Sequence, residues 1–494
     1  MTNKKTHPKG LYTLFSTEMW ERFSYYGMRA LLTLYLTAKL ADDGFGLDRA
    51  ASLELYAIFT GLVYLTPILG GWVADTFMGK RKTVYIGGFV MAVGQFLLAA
   101  SGFMAQSLDP DSRMFLFNFG LGVLIIGNGF FKPNISTIVG DFYDDNDPLK
   151  DSAFNIFYMG INLGAILGPF IAGALGENVQ WGYGFFAAGV GMLIGVVWLY
   201  AREKTLEQHG LPPNSPADKY ILDGKDWRDI GVYSVGLVVA TLAVIFVWGL
   251  IPDNVTSILV TIGFIALLIG LGYIISKGTE GGDEWSRMVV ILVLAFFNIV
   301  FWAGFEQAGG TMNLFAAENT NRVVMGWEVP ASWFQNINPI AILIFASIFS
   351  VMWLKLDKMK LNPRTPIKFA LGMFFGAAAF YIMTMASNLA VDGHLVSPLW
   401  LVAVYTVLTI GELMLSPIGL SMITKLAPKK LVSVVMGLWM ASFAAGNYFA
   451  GIMESVLEKY DLELYPFITM IMLGTGVILL ILSPFLNKAM KGIH

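Results

Sequence analysis

The sequence contains no cysteine among its 494 residues and only four histidines. A disulfide framework, a thiolate metal site and a cysteine nucleophile are therefore excluded. The histidines lie in polar segments or near the ends of the sequence, so they form no cluster with the spacing of metal ligands. We expect neither a metal nor another cofactor.

Charge is also scarce, because 14% of the residues are charged whereas 56% are hydrophobic. Soluble globular domains are more polar than this, so the composition indicates a lipid bilayer as the solvent. The formal net charge is −3, and no basic stretch lies outside the loops. We therefore expect no nucleic-acid partner.

Apolar runs of roughly 20 residues recur along the sequence, and each can cross a hydrocarbon core of about 30 Å as a helix. We predict an all-α membrane protein with about 14 transmembrane helices. The predicted spans are 11–40, 52–77, 82–103, 113–140, 151–176, 181–201, 229–250, 254–276, 285–310, 331–354, 365–388, 396–425, 430–456 and 464–487.

The spacing of these spans predicts an order of six, two and six helices. We predict an N-terminal six-helix bundle in 1–202, a linker with two extra transmembrane helices in 203–284, and a C-terminal six-helix bundle in 285–494. Two six-helix halves are typical of the major facilitator fold, in which a site near the middle of the membrane is exposed to each side in turn.

A channel, a membrane enzyme or a receptor would need different features. The sequence shows no repeated pore-loop signature, no nucleotide-binding loop, no catalytic constellation and no soluble sensing domain. We therefore expect a transporter and not an enzyme.

Lysine and arginine concentrate in the loops on one side of the predicted spans, for example at 80–82, 355–364 and 488–491. Basic loops usually face the cytoplasm, so we predict a multi-pass protein of the cell membrane with both termini cytoplasmic. The acidic loop at 141–151 falls on the same side, which the rule tolerates because acidic residues contribute little to orientation.

Ionisable residues inside predicted spans are functional candidates because a buried charge is costly in a membrane, and seven of them stand out. They are Glu18, Glu21, Arg22, Arg29, Lys132, Glu306 and Glu412. Four carboxylates against three bases leave one negative charge in excess, so we expect one carboxylate to hold a proton at some stage.

The first span concentrates these groups on one helical face. Glu18, Glu21, Arg22, Tyr25 and Arg29 fall within about 60° of one line when the span is drawn as a helix. A patch that neutralises itself and serves folding alone is one interpretation. We favour the other, in which this face lines a water-filled cavity.

Similar depth in the membrane predicts two ion pairs, Glu21 with Lys132 and Arg29 with Glu306. Each pair could act as a gate that opens when a proton or ligand binds one partner, or it could be purely structural. Glu412 has no obvious basic neighbour, so it suits a ligand ammonium group. The alternative for Glu412 is a protonated side chain bonded to a carbonyl.

Motifs at these positions resemble those of one transporter family. EMWERFSYYG at 18–27 is similar to the family's first-helix motif, and GGWVADTFMGKRKTVYIGG at 70–88 and FNIFYMGINLGAI at 154–166 are similar to its other signatures. FWAGFEQ at 301–307 and SWFQNINP at 332–339 fit its seventh and eighth helices. Over essentially its whole length the sequence resembles the bacterial type of the proton-dependent oligopeptide transporter family of the major facilitator superfamily.

The resemblance implies a proton-coupled symporter that imports di- and tripeptides by alternating access. It implies that proton coupling and gating involve Glu18, Glu21, Arg22, Arg29, Lys132 and Glu306. It implies that the substrate site includes Tyr25, Tyr26, Arg29, Tyr64, Lys132, Asn162, Trp302, Glu306, Asn338, Glu412 and Trp439.

Within this implied site, Arg29 and Lys132 would hold the peptide carboxylate, and Asn338 and Glu412 its ammonium group. The amide of Asn162 would bond the peptide backbone. In some relatives a second acid precedes the glutamate of the seventh helix, but this sequence has Phe305 there. That departure speaks against a relay of two carboxylates on this helix.

A different substrate on the same scaffold is the alternative, such as a drug, an anion or a modified amino acid. Glu412 distinguishes these possibilities, because an anion carrier has no use for an acid where the peptide ammonium would lie.

Overall fold

A computed structural model describes residues 6–144, 147, 149–212, 215, 219–249, 272–273, 275–428 and 430–491. Among these residues, eleven helical stretches are long and apolar enough to cross a membrane. The first helix is not one of the eleven, since it carries Glu18, Glu21, Arg22 and Arg29. The helical membrane class predicted from the sequence is confirmed.

The first part of the chain forms helices α1 to α9. They are α1 (Lys9–Thr37), α2 (Arg49–Leu65), α3 (Pro67–Val73), α4 (Lys80–Phe103), α5 (Pro110–Asp141), α6 (Leu149–Gly168), α7 (Ala174–Asn178), α8 (Trp181–Ala201) and α9 (Gly224–Gly249). Two π-helical turns, Ala74–Met78 and Pro169–Gly173, follow α3 and α6.

The remaining helices are α10 (Gly281–Phe305), α11 (Thr311–Glu318), α12 (Ile337–Lys358), α13 (Thr365–Leu389), α14 (Leu399–Leu426), α15 (Val432–Glu458) and α16 (Leu464–Ala489). Strands β1 (Val323–Val324) and β2 (Trp327–Glu328) pair antiparallel between α11 and α12. Two 3-10 turns, Glu306–Ala308 and Ala331–Asn336, precede α11 and α12.

Local sequence explains several helix starts. The carboxylate of Asp48 accepts a hydrogen bond from the Ala51 backbone at the start of α2. At the start of α5, Asp109 accepts from the Ser112 backbone at 3.0 Å, and Pro110 occupies the first helical position. Acceptor side chains at the N-cap and proline at the first position are the usual signals of a helix N-terminus.

The ninth predicted span, 285–310, differs from the structure. One helix was expected over 285–310, but α10 ends at Phe305 and a 3-10 turn begins at Glu306. Gly309 and Gly310 follow before α11 starts, and glycine pairs commonly break a helix. The second of the two extra helices predicted in the linker, 254–276, lies largely outside the described residues.

The described residues group into two compact units. Unit 1 consists of Met1–Ala243, Gly309–Glu318 and Arg322–Leu343. Unit 2 consists of Val244–Ala308, Asn319–Asn321 and Ile344–His494. The chain therefore leaves unit 2 directly after the turn that Glu306 begins. The three-part division expected from the sequence stays a prediction.

In unit 1, a stripe of glycines on α6 brings this helix against α1. A Cβ atom at Gly160 would lie 2.9 Å from the Phe15 side chain, and one at Gly164 would lie 2.7 Å from the Arg22 Cβ. One at Gly168 would lie 2.8 Å from the Gly27 nitrogen. Small residues at intervals of four let helix backbones approach closely. The glycine stripe thus packs directly against the helix that carries the ionisable face.

The basic run at 80–82 fastens the linker that follows α8. Arg81 is fully buried, and its guanidinium donates to the carbonyl oxygens of His209 at 2.6 Å, Tyr220 at 2.9 Å and Glu207. Its backbone N–H donates to the Gly210 carbonyl at 2.8 Å. One cation therefore satisfies three linker carbonyls that would otherwise need other donors.

Acidic side chains complete this attachment. Glu203 accepts from the Leu222 backbone at 3.1 Å, and burial raises the pKa of its carboxyl group. The Lys82 ammonium lies 2.6 Å from Asp226 and 3.2 Å from Asp229, both in the first turns of α9. The basic run thus holds both the linker and the start of the first middle helix.

We expect Arg81→Gln to lower the free energy of unfolding by about 3 kcal/mol. Hydrogen bonds to a charged group contribute about 1.5–3 kcal/mol each, and their contributions are not additive. The matched control is Lys80→Gln, which removes the partly exposed ion pair of Lys80 and Asp141. That change should cost less than about 1 kcal/mol. Thermal unfolding of detergent-purified protein measures both. Equal effects of the two substitutions would contradict the role of Arg81.

Candidate functional site

The ionisable face of α1 is buried in unit 1. Glu18, Glu21 and Arg22 expose 3%, 0% and 3% of their surface. The Arg22 guanidinium donates to both oxygens of Glu21, with Nη2 to Oε1 at 2.5 Å, and its Nε lies 3.3 Å from Glu18 Oε1. One cation thus serves two carboxylates. We call these three residues the α1 cluster.

The two carboxylates of the α1 cluster have different surroundings. Glu21 Oε1 also accepts from the Asn128 amide of α5 at 3.2 Å. The second oxygen of Glu18, Oε2, is buried and has no hydrogen-bond partner among the residues that the structure describes. Glu18 is therefore the carboxylate with the weaker support for a full negative charge.

Arg29 lies farther along α1 and is positioned by aromatic side chains. Its Nε donates to the Tyr56 hydroxyl of α2 at 2.8 Å, and its guanidinium lies 5.7 Å from the centre of the Tyr26 ring. Tyr56 is completely buried. The hydroxyl thus fixes the direction of a guanidinium that is 7% exposed.

Other predicted residues of unit 1 also have defined contacts. The Lys132 ammonium lies 4.3 Å from the centre of the Tyr64 ring, and Arg22 lies 5.1 Å from that of Tyr25. The Asn162 amide donates to the carbonyl of Tyr158 on its own helix at 2.9 Å. The pairing of Glu21 with Lys132 stays a prediction.

The segment that begins at Gly309 is tied to α1 within unit 1. The Thr33 hydroxyl donates to the Gly309 carbonyl at 3.0 Å. The Asn313 amide donates to the Ala30 carbonyl at 2.9 Å and lies 3.2 Å from the Thr33 hydroxyl. Ala30 directly follows Arg29, so these bonds hold the backbone beside that guanidinium.

A second attachment in unit 1 joins α7 to the turn before α12. Glu177 accepts from the backbone N–H groups of Ala331 at 2.7 Å and Ser332 at 2.9 Å, and from the Ser332 hydroxyl at 2.5 Å. Beside it, the rings of Phe170 and Trp333 stack at 4.2 Å between centres. We call this attachment the Glu177 clasp.

In unit 2, Glu306 lies at the break between α10 and α11. It is 3% exposed and begins the 3-10 turn. The next residue, Gln307, donates to the Ala450 carbonyl of α15 at 2.8 Å, and the Tyr405 hydroxyl of α14 donates to the Ala308 carbonyl at 3.0 Å. Two neighbouring helices therefore hold the turn that carries the carboxylate.

The predicted tryptophans of unit 2 are also buried. Trp302 on α10 and Trp439 on α15 are 7% and 1% exposed, and the Trp302 ring lies 4.8 Å from that of Phe443. Neither indole N–H has a hydrogen-bond partner in the described part of the chain. Both are donors that a ligand or solvent could use.

A buried hydrogen-bond chain connects the helices that carry these tryptophans. The Asn298 amide donates to the Ser442 hydroxyl at 2.8 Å, which in turn donates to the Trp439 carbonyl at 2.6 Å. Asn298 lies four residues before Trp302 on α10. These hydrogen bonds therefore fix α10 against α15 beside both indoles.

The predicted residues divide between the units. Unit 1 contains Glu18, Glu21, Arg22, Tyr25, Tyr26, Arg29, Tyr64, Lys132, Asn162 and Asn338, and unit 2 contains Trp302, Glu306, Glu412 and Trp439. Asn338 is half-buried in the first turn of α12, and Glu412 is 9% exposed on α14. The pairing of Arg29 with Glu306 stays a prediction.

Sequence reasoning missed several residues of these networks. Asn128 could have been found, because it is an amide in an apolar span four residues before Lys132. Glu177 lies one residue beyond the predicted span 151–176 and so escaped the count of charges in spans. Tyr56 and Asn298 gave no signal that separates them from ordinary helix residues.

Within the described ranges, no three His, Asp or Glu side chains are grouped so that they could hold a metal ion.

Comparison with known proteins identifies the family. The POT family model matches residues 81–471, so the chain belongs to the POT family. The uncharacterized transporter YclF of Bacillus subtilis is 37% identical over 498 residues, which cover 99% of this chain and 96% of the relative. The peptide transporter YePEPT of Yersinia enterocolitica is 36% identical over 472 residues, or 93% of this chain and 90% of that protein.

A solved structure agrees with this assignment. The crystal structure of peptide transporter POT in complex with sulfate has 35% sequence identity and a TM-score of 0.82, and the match covers 98% of this chain and 96% of the other. The chain is a multi-pass membrane protein with the major facilitator fold of this family, as the sequence predicted.

Proposed function

We propose that this POT family member is a proton-coupled symporter that imports di- and tripeptides by alternating access. The observation that carries the proposal is the α1 cluster, in which one guanidinium serves two buried carboxylates and one Glu18 oxygen lacks a donor. A buried carboxylate that is incompletely paired favours a bound proton. The relative YePEPT is named a peptide transporter, which supports the choice of substrate.

Proton coupling would use the α1 cluster together with Glu306. When Glu18 is protonated, Arg22 and Glu21 remain as a balanced pair, so the cluster has no excess charge. Glu306 would act through its position, since it begins the turn between α10 and α11. A change of charge there acts on a helix break, where the backbone is easier to rearrange than inside a continuous helix.

Peptide recognition would use opposite charges for the two peptide ends. Arg29 and Lys132 would bind the carboxylate, and the Tyr56 hydroxyl would keep Arg29 oriented. Glu412 and Asn338 would bind the ammonium group, and Asn162 the peptide backbone. Tyr25, Tyr26, Tyr64, Trp302 and Trp439 would line the space for side chains. Fixed ends and aromatic walls favour short peptides of varied sequence.

We further propose that both termini face the cytoplasm and that the protein lies in the cell membrane. The lysines and arginines at 80–82, 355–364 and 488–491 support this orientation through the excess of basic residues in cytoplasmic loops.

Uptake of labelled dialanine into proteoliposomes tests the function directly. With an inward proton gradient we expect accumulation above the external concentration, because a titratable carboxylate couples the two movements. A protonophore should abolish accumulation while leaving equilibration of the peptide. Undiminished accumulation in the presence of the protonophore would refute proton coupling. A failure to take up any di- or tripeptide would refute the proposal that these peptides are the substrates.

Glu412→Gln should weaken peptide binding strongly while leaving the thermal unfolding midpoint nearly unchanged, because it removes the charge facing the ammonium group and nearly keeps the volume. Binding of N-acetylated peptides, which lack that charge, should differ little between the variant and the parent protein. Glu458→Gln, at the exposed end of α15, is the matched control and should leave binding unchanged. If the parent protein binds acetylated and free peptides equally well, the role of Glu412 is wrong.

Glu306→Gln imitates a permanently protonated side chain. The loss of charge removes the attraction between residue 306 and its predicted partner Arg29. That attraction is worth about 1 to 4 kcal/mol at intermediate dielectric, which is enough to shift a two-state gate severalfold or more. We expect proton-driven accumulation to be lost, whereas exchange of peptide for peptide should survive at least in part. A variant that still concentrates peptide under a pH gradient would place coupling elsewhere, with Glu18 and Glu21 as the next candidates.

A further inference from the structure

One end of unit 2 contains a cavity that the proposed peptide and proton functions do not use. Its volume is about 400 Å³, within the range of about 300–1,000 Å³ that is typical of small-molecule sites. It lies where α12 ends, α13 begins and the last turns of α14 pass, and its polar lining is Asp357, Asn362, Thr365, Lys368, Ser421 and Lys425.

The polar lining of this cavity favours an anion. The cavity is lined by two ammonium groups, those of Lys368 and Lys425, and by one carboxylate, that of Asp357. Two hydroxyl groups and an amide add further donors, and the Asn362 amide already lies 3.4 Å from an Asp357 oxygen. A group with several acceptor oxygens, such as phosphate, matches this excess of donors and positive charge.

Lys368 is held in position before any ligand binds. Its ammonium lies 4.2 Å from the centre of the Trp353 ring on α12, so the lysine of α13 bridges to the neighbouring helix. A cation placed against an aromatic face loses less freedom when it binds an anion than a lysine in solvent does. This contact distinguishes Lys368 from the exposed lysines Lys355 and Lys358 on α12.

The place of the cavity in the helices suits a lipid head group. Lys425 lies in the last turn of α14 and Lys368 in the first turn of α13, so both are at the ends of apolar spans. Ile418, Met422 and Met490 give the same cavity an apolar wall. Basic pockets at the ends of transmembrane helices are a common site for anionic lipid head groups.

We propose that this cavity binds a phosphate-bearing anion, with Lys368 and Lys425 as its cationic ligands. An anionic phospholipid head group and free phosphate share this chemistry, and the cavity's place at the ends of apolar spans and its apolar wall favour the lipid. The site is independent of the peptide site, although α14 carries both Lys425 and Glu412. A bound head group would hold the ends of α12, α13 and α14 together.

The experiment uses the full chain in nanodiscs of phosphatidylcholine with or without phosphatidylglycerol, and native mass spectrometry counts the lipids retained. We expect retention of phosphatidylglycerol over phosphatidylcholine. Each lysine near an anionic lipid contributes about a factor of five, so Lys368→Gln with Lys425→Gln should weaken retention roughly 30-fold. Arginine at both positions keeps the charge and should restore most of it.

The control is Lys355→Gln with Lys358→Gln, which removes the same charge from the exposed end of α12 outside the polar lining. It should leave retention unchanged. An equal loss in this control would overturn the proposal, because attraction would then come from the whole basic surface.

A second arm identifies the source of the phosphate group. Inorganic phosphate is added to lipid-free protein in detergent, and the thermal unfolding midpoint is recorded for the parent protein and the double glutamine variant. Stabilisation of the parent alone, without preference for phosphatidylglycerol in the first arm, would support the site with a soluble ligand. Neither lipid preference nor stabilisation by phosphate would overturn it.

Discussion

The sharing of Arg22 between Glu18 and Glu21 is the interaction on which the other features of unit 1 depend. Removing the guanidinium or a carboxylate from a buried ion pair leaves an uncompensated charge, which is strongly destabilising. The surroundings are arranged accordingly: the Asn128 amide supports Glu21, and the glycine stripe brings α6 against the backbone of α1. A proton on Glu18 removes the excess negative charge of the cluster without breaking this arrangement.

The sequence predicted the helices well because each apolar run of about 20 residues has one stable form in a bilayer. It also identified the ionisable residues, since charge inside a span is rare and conspicuous. It could not predict the break at Glu306, because contacts with other helices hold the turn: Gln307 donates to the Ala450 carbonyl of α15, and Tyr405 of α14 donates to the Ala308 carbonyl. Tyr56 and Asn298 were missed for a related reason: neutral partners are chosen by tertiary packing, which no spacing along one helix reveals.

The basic run at 80–82 shows that one sequence feature can serve two purposes. Its charge supports the expected cytoplasmic orientation, but Arg81 is fully buried and binds linker carbonyls. The family signature at 70–88 is therefore also part of the attachment of α9, the first extra helix of the linker. Buried arginines of this kind tie loops to helices through carbonyl oxygens and so need no particular side chain in the loop.

In the Glu177 clasp, too, a charged side chain of one segment binds mainly backbone groups of the other. Two of its three donors are backbone N–H groups, which every residue except proline supplies. These two bonds therefore require the Glu177 carboxylate but set no requirement on the Ala331 side chain, and a comparison of related sequences would find the constraint from these bonds on one side of the contact alone. Methods that infer contacts from paired changes in sequence would see little covariation here, although the two segments are firmly joined.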